Sequence, residues 1–410
     1  TMGKIIQLGE EAQEAKAPIQ TLADRFSHRF VPLSFLASGL VYALSRDIVR
    51  SVTMLVIACP CAAGLATPTA VSAAIGNAAR QGILIKGGAY LEVAGSMDTV
   101  IFDKTGTLTE GIPRVTEVIP LGKSSREEVL ALAASSELHS LHPVAKAVVA
   151  ESREKAIEIP EHAEYEVVVG QGVKATVNGS RVLIGSRAMM AGHGIKITKK
   201  AEGLAKGVVE RGETVLYVAR GGRLAGLIGI GESVRPEARE AVEELRRLGI
   251  ERLIMVTGDD IEKAEAIAHQ LGIDEVHGKV LPQGKFDLIK SLQMEGHRVA
   301  MVGDGINDAP ALAQADVGIS LGKAGTDVAI ETADIILMGD DVRKVAMTIK
   351  ISKHTLGVIN QNFLASIGIN FLGLSMASVG LLPPLQAAIL HNTSTLAVIL
   401  NSGKIFRYRA

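Results

Sequence analysis

Asp103 closes the apolar run TVIFD and opens the turn DKTGTLT, residues 103–109. A carboxylate at a strand end, beside Lys104 and a turn supplying hydroxyls and backbone amides, is suited to attack phosphorus and hold the resulting acyl phosphate. An Asp-Lys-Thr tripeptide alone reads equally as a solvated turn. Further on, GDGINDAP (303–310) ends the run RVAMV with Asp304 and Asp308, hard oxygen donors suited to magnesium beside a phosphate. The chain's two cysteines, Cys59 and Cys61, flank Pro60 within VIACPCAAGLATP. One intervening residue places them poorly for a mutual disulfide, which leaves free thiols, metal ligands or small core residues. Thiolates are soft donors suited to copper(I), zinc and cadmium. Two small buried residues beside a helix kink are the structural alternative.

These residues need elements to hold them. The 410-residue chain is 47% hydrophobic, with a mean hydropathy of +0.27, apolar for a soluble protein of this size. Its 43 basic and 44 acidic residues leave a net charge of -1, which argues against a nucleic-acid partner. Charge disappears in residues 30–45, in 51–79, and from Thr355 to Gly403, where Pro383 and Pro384 divide the run into two. Each piece is near the roughly 20 residues that span a bilayer, so four membrane helices are expected, with Pro60 opening the backbone inside one of them. An even number of spans puts the N-terminus, residues 80–354 and the C-terminus on one side. Lys404, Arg407 and Arg409 in the tail favour the cytoplasm for that side. The first 20 residues are amphipathic, unlike a signal peptide, and read as a chain that begins mid-protein.

Between the apolar ends, the runs at 99–103, 252–259, 298–305 and 316–320 each finish in a Gly- or Asp-rich turn, with amphipathic helical patterns between the later ones. That is the pattern of a doubly wound parallel sheet, in which ligand chemistry collects at the carboxyl ends of strands. Residues 112–229 break the alternation and read as an inserted α+β domain.

The heptapeptide DKTGTLT resembles the phosphorylation signature of P-type ATPases, and CPC just before it resembles the transport site of the type IB, heavy-metal branch. The resemblance covers nearly the whole chain. It implies an α-helical membrane domain joined to an α/β haloacid-dehalogenase-like (Rossmann-like) phosphorylation domain with an inserted α+β nucleotide-binding domain. The expected divisions are 1–30 for the end of the actuator domain and its linker helix, 31–96 for a membrane helix pair carrying CPC, and 97–111 for the first part of the phosphorylation domain. Residues 112–229 are then the nucleotide-binding domain, 230–354 the second phosphorylation part, 355–403 the C-terminal membrane pair and 404–410 a cytoplasmic tail.

On that resemblance ATP and magnesium are the cofactors, and Asp103 is the nucleophile within Asp103-Lys104-Thr105. Thr257, Gly258 and Asp259 of TGDD form the phosphate-binding loop, and Lys285 and Asn307 support the transferring group. Asp103, Asp304 and Asp308 hold magnesium. SELHSLHP and GQG match the family's Glu, His-Pro and Gly-x-Gly pattern, which assigns Glu137, His142, Pro143, Gly170 and Gly172 to the adenine of ATP. The expected activity is metal efflux driven through an aspartyl phosphate, in a multi-pass protein of a prokaryotic plasma membrane, with a metallochaperone as a conceivable partner.

The pattern departs from the family in two places. The dephosphorylating Thr-Gly-Glu loop is missing, since GES at 231–233 leads back into the phosphorylation domain; the first membrane helices and actuator region are expected elsewhere in a longer protein. The metal-selecting helices fit no branch fully. Asn370 resembles the copper branch, whereas the last helix carries His391, Asn392 and Ser394 in HNTST. Copper(I), zinc, cadmium, cobalt, manganese and iron all stay open. Two rival functions are a membrane-tethered phosphatase of the same fold and a non-enzymatic membrane metal receptor. Such phosphatases carry a second Asp two residues after the nucleophile, where this chain has Thr105.

Overall fold

The computed structural model describes residues 18–304, 308–322 and 331–409. Residues 1–17 of the expected actuator segment, and Asn307, lie outside them. Two compact units emerge, one from Thr1–Ile101, Glu243–Arg252 and Pro282–Ala410, the other from Phe102–Val242 and Leu253–Leu281.

The first unit holds the apolar helices, labelled here α1 (Pro18–Ser45), α2 (Ile48–Ile57), α3 (Cys61–Arg80), α4 (Arg343–Ser378) and α5 (Pro384–Gly403). Asp47 starts α2 by accepting from the N–H groups of Val49 and Arg50. Ser38 and Ser51 each donate to the other's carbonyl, at 2.8 and 3.1 Å, stitching α1 to α2. Pro60, which has no N–H, stands between the end of α2 and the start of α3, so the uncharged stretch 51–79 forms two helices rather than one. Ala62, Ala66, Ala70, Ala74 and Ala78 repeat along the buried face of α3, where small side chains let neighbouring backbones approach.

Outward faces are apolar as well: Leu36, Leu44, Leu364, Phe371 and Leu385 are all 70–79% exposed. In water such faces would be a liability; against acyl chains they are expected. Among the described residues, Ile48–Arg80 is the stretch long and apolar enough to cross a membrane by length and composition, with an 18-residue window of mean hydropathy 1.9. The helix α4 starts at Arg343, well before the charge-free run, because its first turns are amphipathic: Lys350 pairs with Glu244 at 2.8 Å and Lys353 donates to the Leu248 carbonyl.

The strands in chain order are β1 (Ile83–Ile85), β2 (Thr99–Asp103), β3 (Thr109–Pro120), β4 (His162–Val168), β5 (Gly172–Val177), β6 (Ser180–Gly185), β7 (Thr214–Arg220), β8 (Arg223–Val234), β9 (Arg252–Val256), β10 (Glu275–His277), β11 (Val299–Gly303), β12 (Val317–Gly322) and β13 (Ile335–Met338). In the first unit β11, β12 and β13 run parallel, in register at Ala300 with Val317 and Ile319 with Ile335. The short β1 closes this edge antiparallel, Ile83 facing Leu337. In the second unit β9 and β10 are parallel, and β3 to β8 form a separate antiparallel sheet in the order β3-β8-β7-β6-β5-β4. Helices Arg126–Glu137 and Pro143–Glu154 cover that sheet over a core including Val129, Val148, Val177, Ile184, Val218 and Ile228. Its antiparallel order suits a separate α+β insert, and the parallel strands suit the Rossmann-like reading.

Gly373 of α4 passes the fully buried Ile57 so closely that a Cβ there would lie 2.5 Å from Ile57 Cγ1. Gly373→Leu should therefore destabilise the detergent-solubilised protein by about 1–3 kcal/mol through overpacking, read as a lower thermal midpoint. An unchanged midpoint would mean that this helix contact is not made.

Candidate active site and metal site

Asp103 stands at the end of β2, 7% exposed, and the five residues after it coil tightly, with Gly106 at φ +78°. Arg235 clamps this loop by donating from Nε to the Thr107 carbonyl at 2.9 Å and from Nη2 to the Gly106 carbonyl at 3.0 Å. Lys104 is buried between Asp259 and Glu232, with Glu232 Oε2 3.0 Å from its Nζ. Burial opposes its charge, yet the hydrogen bond to Asp259 and the charge of Glu232 outweigh it and hold its pKa above the ordinary lysine value. Asp259 is in turn oriented by its own N–H, which donates to Thr257 Oγ1 at 3.2 Å. The TGD loop and the DKT loop are thus tied through one ammonium group. Thr105 takes an extended conformation, and Thr107 Oγ1 is buried with no hydrogen-bond partner, a donor left for an anion.

In the first unit, Lys285 Nζ donates to Asp308 Oδ1 at 2.6 Å, both side chains under 9% exposed. Asp308 Oδ2 has no partner, and Gly303 is required beside it, since a Cβ there would lie 2.5 Å from that oxygen. Burial raises the pKa of Asp308, opposed by Lys285 and reinforced by the charge of Asp304. A buried, unsatisfied carboxylate oxygen beside a second acid fits a hard divalent cation such as magnesium. Gly258 sits in the loop after β9.

A cavity of 370 Å³ in the inserted sheet is lined by Glu137, His142, Gly170 and Gly172, four of the five residues assigned to ATP. Pro143 instead occupies the first turn of its helix, where its missing N–H costs nothing. His142 caps that helix, its Nδ1 accepting from Val144 N–H at 3.3 Å, which leaves Nε2 as its donor. Burial raises the pKa of Glu137. Gly172 has φ +147°, and a Cβ there would collide with the Ile184 carbonyl.

Where α2 gives way to α3, the ligand atoms of Cys59, Cys61 and His391 all lie within 4.8 Å of one another. The two cysteines are joined as a disulfide, with Cα atoms 5.4 Å apart. This corrects the expectation that their spacing bars a mutual bond: residues two apart on a continuous helix point to nearly opposite faces, and the break at Pro60 releases the two side chains from that phase so that their sulfurs meet. His391 Nδ1 is buried without a partner. The Asn370 amide donates to the Cys59 carbonyl at 3.4 Å, which places this side chain against the broken segment. Asn392 is exposed and donates to Ala388 of its own helix at 2.9 Å, and Ser394 donates to the His391 carbonyl at 2.7 Å, so both serve α5 itself in this arrangement.

Sequence reasoning passed over Thr107, Glu232, Arg235 and Gly303. Thr107, Gly303 and Glu232 stood inside quoted motifs, but Glu232 and Arg235 lie more than 120 residues from the loop they hold, and no local signal pairs them with it.

Residues 97–316 match the haloacid dehalogenase-like hydrolase family. Over 410 residues the chain is 50% identical to a zinc-exporting P-type ATPase of Mycobacterium marinum and 49% identical to a manganese-exporting P-type ATPase of Mycobacterium bovis. All of this chain is matched in both, against 56% and 57% of theirs, so it spans little more than half the length of these curated relatives. The crystal structure of a zinc-transporting PIB-type ATPase in its E2.Pi state superposes with a TM-score of 0.86 at 37% identity, covering 98% of this chain and 67% of the other. The chain belongs to the haloacid dehalogenase-like hydrolases and, within them, to the heavy-metal, PIB-type branch of the P-type ATPases.

Proposed function

We propose that this chain is the catalytic and ion-binding core of an ATP-driven exporter of a divalent transition metal, a multi-pass protein whose soluble units face the cytoplasm. The observation that carries this reading is the convergence of Cys59, Cys61 and His391 at a helix break in an apolar span, in the same chain as the Asp103 loop. An exposed metal-binding patch would need no such break.

In the proposed reaction Asp103 attacks the γ-phosphorus of ATP; its carboxylate oxygen bonds to phosphorus, the bond to the β-phosphate oxygen breaks, and ADP leaves. Thr107 and the loop amides receive the phosphoryl oxygens, and Lys285 and Thr257 offset the spreading negative charge. Lys104, locked between Asp259 and Glu232, keeps the loop from turning away. Asp304 and Asp308 would hold magnesium, which when bound neutralises charge on the phosphates. The adenine would occupy the 370 Å³ cavity beside Glu137 and His142. Thr105 cannot relay a proton as a second Asp would, so the acyl phosphate should persist, as a pump requires and a phosphatase does not. Two thiolates with one imidazole suit zinc, whereas manganese prefers oxygen donors. The reduced dithiol is the form that binds.

Incubation with γ-labelled ATP and magnesium should yield a hydroxylamine-sensitive phosphoprotein that is absent in Asp103→Asn; a label that survives this substitution would remove Asp103 from the mechanism. Gly172→Ala should weaken binding of a fluorescent ATP analogue at least about tenfold, because the strand must shift to clear the Ile184 carbonyl. Unchanged affinity would separate this cavity from the nucleotide. Under reductant, zinc should bind at one equivalent per chain and more tightly than manganese. Cys59→Ala, Cys61→Ala and His391→Ala should each weaken it by about 100-fold, measured by competition with a chelator. Normal binding in the two cysteine variants would end the metal assignment.

A further inference from the structure

We infer that the cytoplasmic end of α3 and the folded tail, residues 404–409, form a binding site for the phosphate headgroup of an anionic membrane lipid. Arg80, Arg407, Arg409, Phe406 and Gln81 line a cleft of 660 Å³ there. The tail is pinned rather than loose. Asn77 Nδ2 donates to the Tyr408 carbonyl at 2.8 Å, Gln81 Nε2 reaches the same oxygen at 3.4 Å, and Ile405 is fully buried. The Tyr408 ring stacks on His354 with centroids 4.0 Å apart. Arg80 lies over the Phe406 ring, 4.8 Å from its centroid.

Three guanidinium groups are therefore collected around one cleft, and among the described residues no carboxylate pairs with Arg80, Arg407 or Arg409. Orienting a membrane protein asks only that basic residues lie on the cytoplasmic side, not that a folded turn gather them. Gathered cations repel one another unless an anion joins them, and guanidinium forks match phosphate oxygens.

The position selects a lipid over a free anion. The 20 residues of α5 are about 30 Å long, the thickness of the hydrocarbon core, so the tail begins at headgroup level. Phe406, which lines the cleft, is 43% exposed, and Leu396 and Leu400, 57% and 64% exposed, lie one turn apart on the helix that leads into the tail, so the cleft adjoins a helix with apolar surface open to acyl chains.

The test uses the intact protein, delipidated and returned to nanodiscs of phosphatidylcholine with increasing phosphatidylglycerol, with retained lipid counted by native mass spectrometry. The wild type should retain phosphatidylglycerol selectively. Each arginine at an anionic surface contributes about fivefold, so Arg407→Gln with Arg409→Gln should weaken retention about 25-fold. Arg407→Lys with Arg409→Lys should keep most of it, which separates lost charge from a misfolded tail. Retention unaffected by the glutamine pair would overturn the inference. So would equal occupancy by inorganic phosphate at millimolar concentration, which would mark a soluble-anion site instead.

Discussion

A helix that stops within a bundle of apolar helices leaves carbonyl groups that need partners away from water, and the packing around Pro60 answers that constraint. Pro60 forces the stop. Asn370 on α4 donates to the Cys59 carbonyl, so the broken segment is held by a neighbouring helix rather than by solvent. At the far end of α5 Asn362 donates to Ser402 and accepts from Asn401, and Ser402 donates to the Ala66 carbonyl, joining α3, α4 and α5. A break supported in this way presents two sulfurs and an imidazole nitrogen to one point, which an unbroken helix could not do with residues two apart.

The soluble chemistry obeys a parallel constraint on charge. Lys104 and Asp308 are both nearly inaccessible, and each is tolerable only because an opposite charge is in hydrogen-bond contact. What the fold leaves unsatisfied is more informative than what it pairs. Thr107 Oγ1 and Asp308 Oδ2 are buried without partners, one a donor suited to an anion and the other an acceptor suited to a cation. Each orphaned atom, taken within its own unit, has the chemistry that phosphoryl transfer calls for there.

Much of this was legible beforehand where local pattern controls structure. The run TVIFD is β2 residue for residue, since five consecutive apolar or β-branched positions ending in Asp have few other places to go. The proline between two cysteines announced the helix break. Long-range pairing was not legible. Nothing local tells Lys104 that Glu232 will meet it, or that Arg235 will hold the loop, because those contacts are made by strand register across the inserted sheet. The charge criterion marks the uncharged run from Thr355 and says nothing of the amphipathic turns from Arg343 that precede it in the same helix, because their pairing with Glu244 is long-range. Within HNTST, helical phase separates His391 from Asn392, and composition carries no information about phase.

Coupling is the central claim: phosphorylation at Asp103 must change the metal affinity of the site formed by Cys59, Cys61 and His391, since one event can drive another only through differential binding. The direct measurement is zinc affinity of the reduced, full-length protein locked with a non-hydrolysable ATP analogue, compared with the same protein locked by beryllium fluoride as an acyl-phosphate mimic. Affinity at least about tenfold weaker in the beryllium fluoride state, with the difference lost in Asp103→Asn, is the expected result. Equal affinity in the two states, or a difference that persists without the Asp103 carboxylate, would contradict it.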